Sequence, residues 1–182
     1  AACAATPAWP DAAESAALDE ARSQAELTAY LSDSLWDWAE LGYQEEKSST
    51  LLQETLADAG FTVTPGVADI PTAFVAEYGS GGPVIALLAG HACGHNLFGA
   101  GSVSAAIAIR NWLEESGTPG RIRVYGTPAE EGGSGKVYMV RAGLFEDVDI
   151  AIHWHPGDRN SAAANTTLAN RSAKFRFSGI SA

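Results

Sequence analysis

Residues 84–95 read Val-Ile-Ala-Leu-Leu-Ala-Gly-His-Ala-Cys-Gly-His, an apolar run that leads directly into two histidines and a cysteine. The apolar run follows the glycines and proline of residues 79–83, a pattern that predicts a short buried strand over Val84–Leu88. Further segments of helical and strand-like character alternate after it: helix 99–115, strand 121–125, helix 134–142 and strand 149–153. This β-α-β-α-β order predicts a largely parallel sheet covered by helices.

The segment before residue 84 is predicted to add helices and short strands to the same domain. Apolar residues recur at steps of three and four in two predicted helices, and turn residues separate two predicted strands. These are helix 12–41, helix 47–59, strand 61–64 and strand 73–78. The fold class is therefore α/β, with a mixed, mostly parallel sheet flanked by helices. Gly99 and Gly101 are expected to let the helix that follows the first histidine cluster begin tightly.

Composition and charge limit the classes of partner. The chain has 182 residues, of which 46% are hydrophobic and 18% charged, as in a globular domain. Its formal net charge of -11 repels phosphate backbones and anionic lipid surfaces, so neither nucleic acid nor a membrane surface is an expected partner. No run of about 18 apolar residues is present, so no membrane-spanning helix is predicted.

The N-terminal residues 1–20 are predicted to form a leader, which can be flexible, outside the main domain. Residues 1–10 are rich in small residues, which fits either a processed signal peptide or an ordinary disordered leader. The compartment therefore stays open between the cytoplasm and the periplasm or exterior. The two cysteines, Cys3 and Cys93, do not suggest a disulfide framework.

All four histidines lie in two short clusters, each at the end of a predicted strand. His91 and His95 flank Cys93, and His153 and His155 flank a tryptophan. A lone cysteine is commonly a buried structural thiol, but its place between histidines favours a thiolate ligand. Ligands gather beyond the carboxyl ends of parallel strands in open α/β sheets. The clusters therefore predict a shared metal site at that edge.

A pair of acidic residues, Glu130 and Glu131, follows the predicted strand 121–125. In extended backbone their side chains point to opposite sides, so one carboxylate can bind metal while the other serves as general base. Such a pair is usually a solvated acidic turn. Here the preceding strand and the following glycines favour a functional interpretation.

Three motifs resemble the amidohydrolase branch of the dinuclear metallopeptidases, the family that includes carboxypeptidase G and aminoacylase. They are His-Ala-Cys-Gly-His-Asn-Leu at 91–97, Gly-Thr-Pro-Ala-Glu-Glu-Gly-Gly-Ser-Gly-Lys at 126–136, and Trp-His-Pro at 154–156. The resemblance runs from about Leu27 to the last residue. It implies the catalytic domain of a zinc-peptidase-like α/β fold.

The resemblance also implies the roles of individual site residues. Cys93 would bridge two divalent metal ions, zinc or manganese, with His95 and His155 on one ion and Glu131 on the other. Glu130 would be the general base that deprotonates the attacking water. His91 and His153 fall outside the ligand pattern and would lie behind the ligands.

The sequence departs from the family pattern in two places. An Asp-containing loop normally lies between the strand and the first histidine motif, whereas Ala89 and Gly90 lead straight into His91 here.

The second departure concerns the domains. Residues 21–170 would form the first part of the catalytic domain. Residues 171–182, in which Lys174–Ser178 alternates like a half-exposed strand, would begin a lid domain used for homodimer contact. The final histidine ligand of the family would come from a later segment.

The resemblance implies metal-dependent hydrolysis of the amide bond of an N-acyl or N-aroyl amino acid, with an aminobenzoyl-glutamate-like compound favoured. A dipeptidase of the same chemistry is one alternative. A truncated, non-catalytic metal-binding domain is another. Purely structural zinc fits less well, because structural sites are closed by four Cys or His ligands and this set is rich in carboxylates.

Overall fold

The computed structural model describes residues 12–90, 96–158, 166, 169 and 173–180. The predicted α/β class is confirmed, and the described residues form helices, one short 3-10 turn at Val67–Asp69, and strands. The helices are α1 (Ala12–Ser23), α2 (Ala25–Trp38), α3 (Glu46–Asp58), α4 (Asn96–Ser116) and α5 (Gly135–Arg141). The strands are β1 (Thr62–Pro65), β2 (Phe74–Ser80), β3 (Val84–Gly90), β4 (Gly120–Thr127) and β5 (Ile150–Ile152).

The strands form one mixed sheet in the order β1-β2-β4-β3-β5. The three strands after residue 83 are mutually parallel, as the alternation of strands and helices predicts, because β3 pairs in parallel with both β4 and β5. β1 and β2 extend the sheet in antiparallel fashion beyond β4. The sheet therefore has a parallel half, which contains the motif-bearing strands, and an antiparallel half.

Helices cover both faces of the sheet. On one face, Leu31, Leu52 and Val103 from α2, α3 and α4 are fully buried against Ala76 and Val124 of the sheet. On the other face, a smaller cluster contains Ile70, Ala86, Tyr125 and Met139, the last of these from α5. Within the part of the chain that the structure describes, no helix is both long and apolar enough to cross a membrane.

The predicted helix 12–41 is two helices, and the prediction of a single one is wrong. α1 and α2 are separated at Gln24, whose backbone has φ -82° and ψ 5°. The Ser23 hydroxyl donates to the carbonyl of Glu20, and the Thr28 hydroxyl donates to that of Gln24. Such hydroxyl-to-carbonyl bonds compete with the helical ladder and bend it. Residues 12–20 of the predicted leader thus belong to α1, and Asn111 of α4 donates to the Glu20 carboxylate.

α4 begins at Asn96, before the glycines that were expected to start it. The Asn96 side chain donates to the hydroxyl of Ser32 at 2.8 Å and so ties the first residue of α4 to α2. A Cβ atom on Gly99 would lie 2.7 Å from the Gly90 carbonyl oxygen and 3.3 Å from the side chains of Leu35 and Leu52. Gly99 therefore permits close approach of the helix to the end of β3.

The strand predicted at Lys174–Ser178 is absent from the structure, where residues 173–180 form neither helix nor strand. The alternation of polar residues with Phe175 and Phe177 suggested one, but no described strand pairs with this segment, and a strand requires a ladder partner. Both phenylalanines are exposed. The division of the sequence into a leader, a catalytic part and a lid stays a prediction.

Gly99→Ala is expected to destabilise the chain by roughly 1–3 kcal/mol, the usual cost of overpacking. The added methyl group would meet a backbone oxygen at 2.7 Å, and this outweighs the higher helix propensity of alanine. Urea unfolding measures the change. Gly120→Ala is the control, because its new methyl group would find its nearest atoms at 3.7 Å and 3.8 Å. Equal effects of the two substitutions would contradict the close approach.

Candidate functional site

The carboxyl ends of three parallel strands meet at one edge of the sheet. Gly90, the last residue of β3, pairs with Thr127 of β4, and Leu87 pairs with Ile152 of β5. The segments that follow β4 and β5 hold Glu130, Glu131 and the second histidine cluster. The structure therefore brings these motifs to the same edge of the sheet.

The acidic pair lies in a turn, not in the extended backbone that the sequence interpretation assumed. Ala129 has a left-handed φ of 51°, its carbonyl accepts from Gly133 N–H at 3.0 Å, and the Glu130 carbonyl accepts from Gly132 N–H at 3.0 Å. The two side chains still differ in surroundings, because Glu130 is half-buried and Glu131 is exposed. The two carboxylates therefore differ in environment because they are buried to different extents, and not because they alternate along a strand.

The turn is attached to the segment between α2 and α3. The buried Glu45 carboxylate accepts from Ala129 N–H at 2.8 Å, and the Tyr43 hydroxyl donates to the Gly133 carbonyl. Burial is the main factor that raises the pKa of the Tyr43 hydroxyl. Glu45 was not among the site residues predicted from the sequence. It lies in the charged run 45–47, which is typical of the exposed start of a helix. Its position one residue before α3 was the only local signal.

The second histidine cluster is attached to α4 through aromatic contacts. The ring of Phe98 meets His153 at 5.0 Å and Trp154 at 5.6 Å between centroids, in both cases edge to face. The Trp154 indole N–H lies 3.2 Å from the hydroxyl of Ser102, which itself donates to the Leu88 carbonyl at 2.8 Å. Trp154 thus joins α4 to the end of β5. His153, which the resemblance places outside the ligand pattern, packs on Phe98.

His155 has one ring nitrogen occupied by backbone. Its Nδ1 lies 2.8 Å from the carbonyl oxygen of Pro156. A carbonyl can only accept, so Nδ1–H donates in this contact, and Nε2 is the nitrogen that remains to act as a metal ligand in the neutral tautomer. In metal-binding histidines, the ring nitrogen that does not bind the metal commonly donates its N–H to such an acceptor. This bond fixes the tautomer and the orientation of the ring. His155 therefore fits the ligand role that the resemblance implies.

A buried ammonium group lies beside the acidic pair. Lys136, on the first turn of α5, has its Nζ 5.7 Å from the centroid of the Phe98 ring, and this nitrogen has no hydrogen-bond partner among the described residues. Burial lowers the pKa of Lys136, while the negative charge of Glu130 opposes the shift. Sequence reasoning did not identify Lys136 as a site residue, because its burial depends on how α5 packs.

An ion-pair network holds the segment that leads into β5. Arg123 of β4 donates to both oxygens of Asp147, at 2.7 Å and 2.9 Å, and to Glu77 at 2.7 Å. These bonds, with that to Asp147 the strongest, raise the pKa of Arg123. Asp149 then exchanges two bonds with Val84, at 2.8 Å and 3.0 Å, at the start of β3. The entry of β5 into the sheet is fixed by polar contacts at its amino end.

The first histidine cluster, with the predicted ligands Cys93 and His95 and the neighbouring His91, lies outside the described residues. Within the described part of the chain, no group of three or more His, Cys, Asp or Glu side chains is placed to hold a metal ion. Glu131 and His155 are thus two of the four predicted ligands at the sheet edge. Carboxylate oxygen and imidazole nitrogen are donors that suit zinc or manganese.

Lys136→Met is expected to leave the free energy of unfolding at pH 7 unchanged or to raise it. A buried ammonium group that has no hydrogen-bond acceptor among the described residues is replaced by an apolar chain of similar length. The folded-state pKa of Lys136 lies below the ordinary 10.5. The unfolded chain therefore binds this proton more tightly, and the wild type should gain stability relative to the variant as the pH rises towards that value.

Urea unfolding at pH 7 and near pH 10 measures both effects of Lys136→Met. Arg141→Met, which removes an exposed positive charge from the same helix, separates burial from net charge and should show no stabilisation. A loss of stability on Lys136→Met, together with a difference from wild type that does not change with pH, would contradict the buried state of the ammonium group.

Comparison with known proteins gives consistent matches. A model described as "Peptidase family M20/M25/M40" matches residues 88–169. One of the subunits of the p-aminobenzoyl-glutamate hydrolase of Escherichia coli (strain K12) is 44% identical over 177 residues, which cover 84% of this chain and 37% of that protein. The Xaa-Arg dipeptidase of Mus musculus is 36% identical over 166 residues, covering 80% of this chain and 38% of that protein.

A solved structure from Bacillus subtilis, described as a dinuclear metal binding peptidase from the M20 family, superposes with a TM-score of 0.54. It is 20% identical, and the match covers 81% of this chain and 45% of that one, so it supports the fold alone. The chain spans less than two fifths of the two curated relatives. The family resemblance inferred from the three motifs is confirmed by these matches.

Proposed function

This chain belongs to peptidase family M20/M25/M40, and from that membership we propose that the protein is a metal-dependent amidohydrolase. The substrate class would be an N-acyl or N-aroyl amino acid, with p-aminobenzoyl-glutamate favoured by the 44% identical relative. The observation that carries the proposal is the shared sheet edge, at which Glu130, Glu131 and His155 follow two strands that flank β3.

The residues present fit a divalent metal site. Glu131 is exposed at the sheet edge, and His155 donates its Nδ1–H to a carbonyl, so Nε2 is the ring nitrogen that would bind a metal ion. Cys93 and His95 remain predicted ligands. When bound, zinc or manganese supplies Lewis-acid polarisation of the scissile carbonyl and acidifies water.

Proton transfer is the role proposed for Glu130. Its half-buried carboxylate would take a proton from the attacking water and then deliver it to the leaving amine nitrogen as the amide C–N bond breaks. The attacking oxygen ends in the acyl product, and the second proton of the water also passes to the released amine, so that the products are a carboxylate and an ammonium group. One carboxylate thus serves as base and then as acid.

A dipeptidase is the second candidate, and the 36% identity to an Xaa-Arg dipeptidase favours it. The two candidate substrates differ in the group on the amide carbonyl and in the amino acid released, which is glutamate in one and arginine in the other. Purified whole protein that carries this chain, loaded with zinc or manganese, should release p-aminobenzoate from p-aminobenzoyl-glutamate faster than it cleaves Xaa-Arg dipeptides. The reverse order would favour the dipeptidase, and no hydrolysis with metal bound would favour a non-catalytic metal-binding domain. The homodimer implied by the resemblance stays a prediction.

Glu130→Gln in the whole protein is expected to keep the metal but to lower the turnover number roughly 10²- to 10⁴-fold, the usual worth of general acid–base catalysis. Glutamine keeps the size of the side chain but cannot accept the proton. Elemental analysis and hydrolysis rates on the same preparation measure the two effects. Glu131→Gln is the matched control and should lose metal. Metal loss in Glu130→Gln alone would mean that the two roles are exchanged.

His155→Ala is expected to reduce the bound metal, because a methyl group cannot replace the imidazole nitrogen. His153→Ala removes the same kind of side chain two residues earlier and should retain the metal, since His153 packs on Phe98. Metal content after equilibration with limiting zinc distinguishes the two variants. Equal metal content in both would count against His155 as a ligand.

A further inference from the structure

Glu45 is a carboxylate with no exposed surface. Its two oxygens accept from different partners: Oε1 from Ala129 N–H at 2.8 Å and Oε2 from the Thr72 hydroxyl at 3.1 Å. Burying a carboxylate is costly unless hydrogen bonds compensate for the lost hydration. One oxygen of this fully buried carboxylate has a single partner, a backbone amide. The hydrogen bond that compensates for its burial therefore depends on the position of that amide.

The amide in question belongs to the residue directly before the acidic pair. Ala129 has a left-handed φ of 51°, which a residue with a Cβ atom adopts only when its surroundings enforce it. The Glu45 bond holds the amino end of this turn. At the other end, a Cβ atom on Gly133 would lie 2.4 Å from Ala129 Cβ and 2.7 Å from the Tyr43 ring, so the turn is packed tightly on Tyr43.

We propose that Glu45 is a positioning residue, which fixes the turn 129–133 and thereby the carboxylates of Glu130 and Glu131. The proposal rests on the proposed function for the roles of these two glutamates. The same short segment supplies both supports, since the Tyr43 hydroxyl donates to the Gly133 carbonyl while Glu45 accepts from Ala129. Glu45 acts through the backbone and would not touch substrate.

Thr72 supplies a matched control within the same buried cluster. Its hydroxyl bonds to the second oxygen of Glu45 and makes no hydrogen bond to the turn. Thr72→Val removes this bond and leaves the contact between Glu45 and Ala129 intact. A general loss of stability would follow from either Glu45→Ala or Thr72→Val, whereas displacement of the turn would follow from Glu45→Ala alone.

Glu45→Ala in the whole protein should lower the turnover number roughly 10- to 100-fold, the order expected when a catalytic group moves by about 1 Å. The Michaelis constant should change less than threefold, and bound metal should fall as Glu131 shifts. Hydrogen exchange should become faster in residues 129–133 and stay unchanged in the core of β4. Rates are compared at a temperature at which urea unfolding shows each variant to be fully folded.

Glu45→Gln should restore turnover to within about threefold of the wild type, because the amide oxygen still accepts from Ala129 and the amide nitrogen can donate to the Thr72 hydroxyl. Thr72→Val should keep wild-type turnover and exchange in the turn. Unchanged exchange of residues 129–133 in Glu45→Ala, or equal effects of Thr72→Val and Glu45→Ala, would overturn the proposal.

Failure of the proposed function has a separate signature. Wild-type protein that binds metal but hydrolyses neither p-aminobenzoyl-glutamate nor a dipeptide would refute the function. The exchange comparison between Glu45→Ala and Thr72→Val would still decide whether Glu45 holds the turn, because it needs neither metal nor substrate.

Discussion

The parallel pairing of β3 with β4 on one side and with β5 on the other is the constraint on which the candidate site depends. In parallel pairs all strands run in the same direction, so the loops at their carboxyl ends emerge at one edge. The pairing of Leu87 with Ile152 brings the histidine cluster to the edge at which β4 delivers Glu130 and Glu131. Residues distant in sequence thus become neighbours through the backbone hydrogen bonds of the sheet.

Two polar groups, the Glu45 carboxylate and the Lys136 ammonium group, are buried beside this edge of the sheet. Glu45 has no exposed surface, and the Nζ atom of Lys136 has no hydrogen-bond partner among the described residues. Neither group contributes the apolar burial that stabilises the rest of the domain, and each incurs a desolvation cost. Natural proteins accept such costs mainly where function requires them, and both groups adjoin the turn that holds the acidic pair.

The strands of the parallel half could be predicted because each is an apolar run between turn residues, and the observed β3, β4 and β5 fall within two residues of the predicted bounds. The turn at Glu130 could not be predicted, because its hydrogen-bond partners are remote in sequence: Glu45 accepts from Ala129 N–H, and Tyr43 donates to the Gly133 carbonyl. Glu45 itself was hidden in a charged run, in which nothing local distinguishes a buried carboxylate from a solvated one. Residue type thus indicated which groups could form the site, and only tertiary contacts revealed what orients them.

The surroundings of the two adjacent glutamates support the proposed division of labour between them. Glu131 is exposed at the sheet edge, as suits the metal ligand proposed above. Glu130 is half-buried beside the buried ammonium group of Lys136, an environment that Glu131 does not share. Partial burial also limits competing hydration of that carboxylate. A general base and a metal ligand can therefore be adjacent in sequence, because the turn 129–133 places their side chains in different environments.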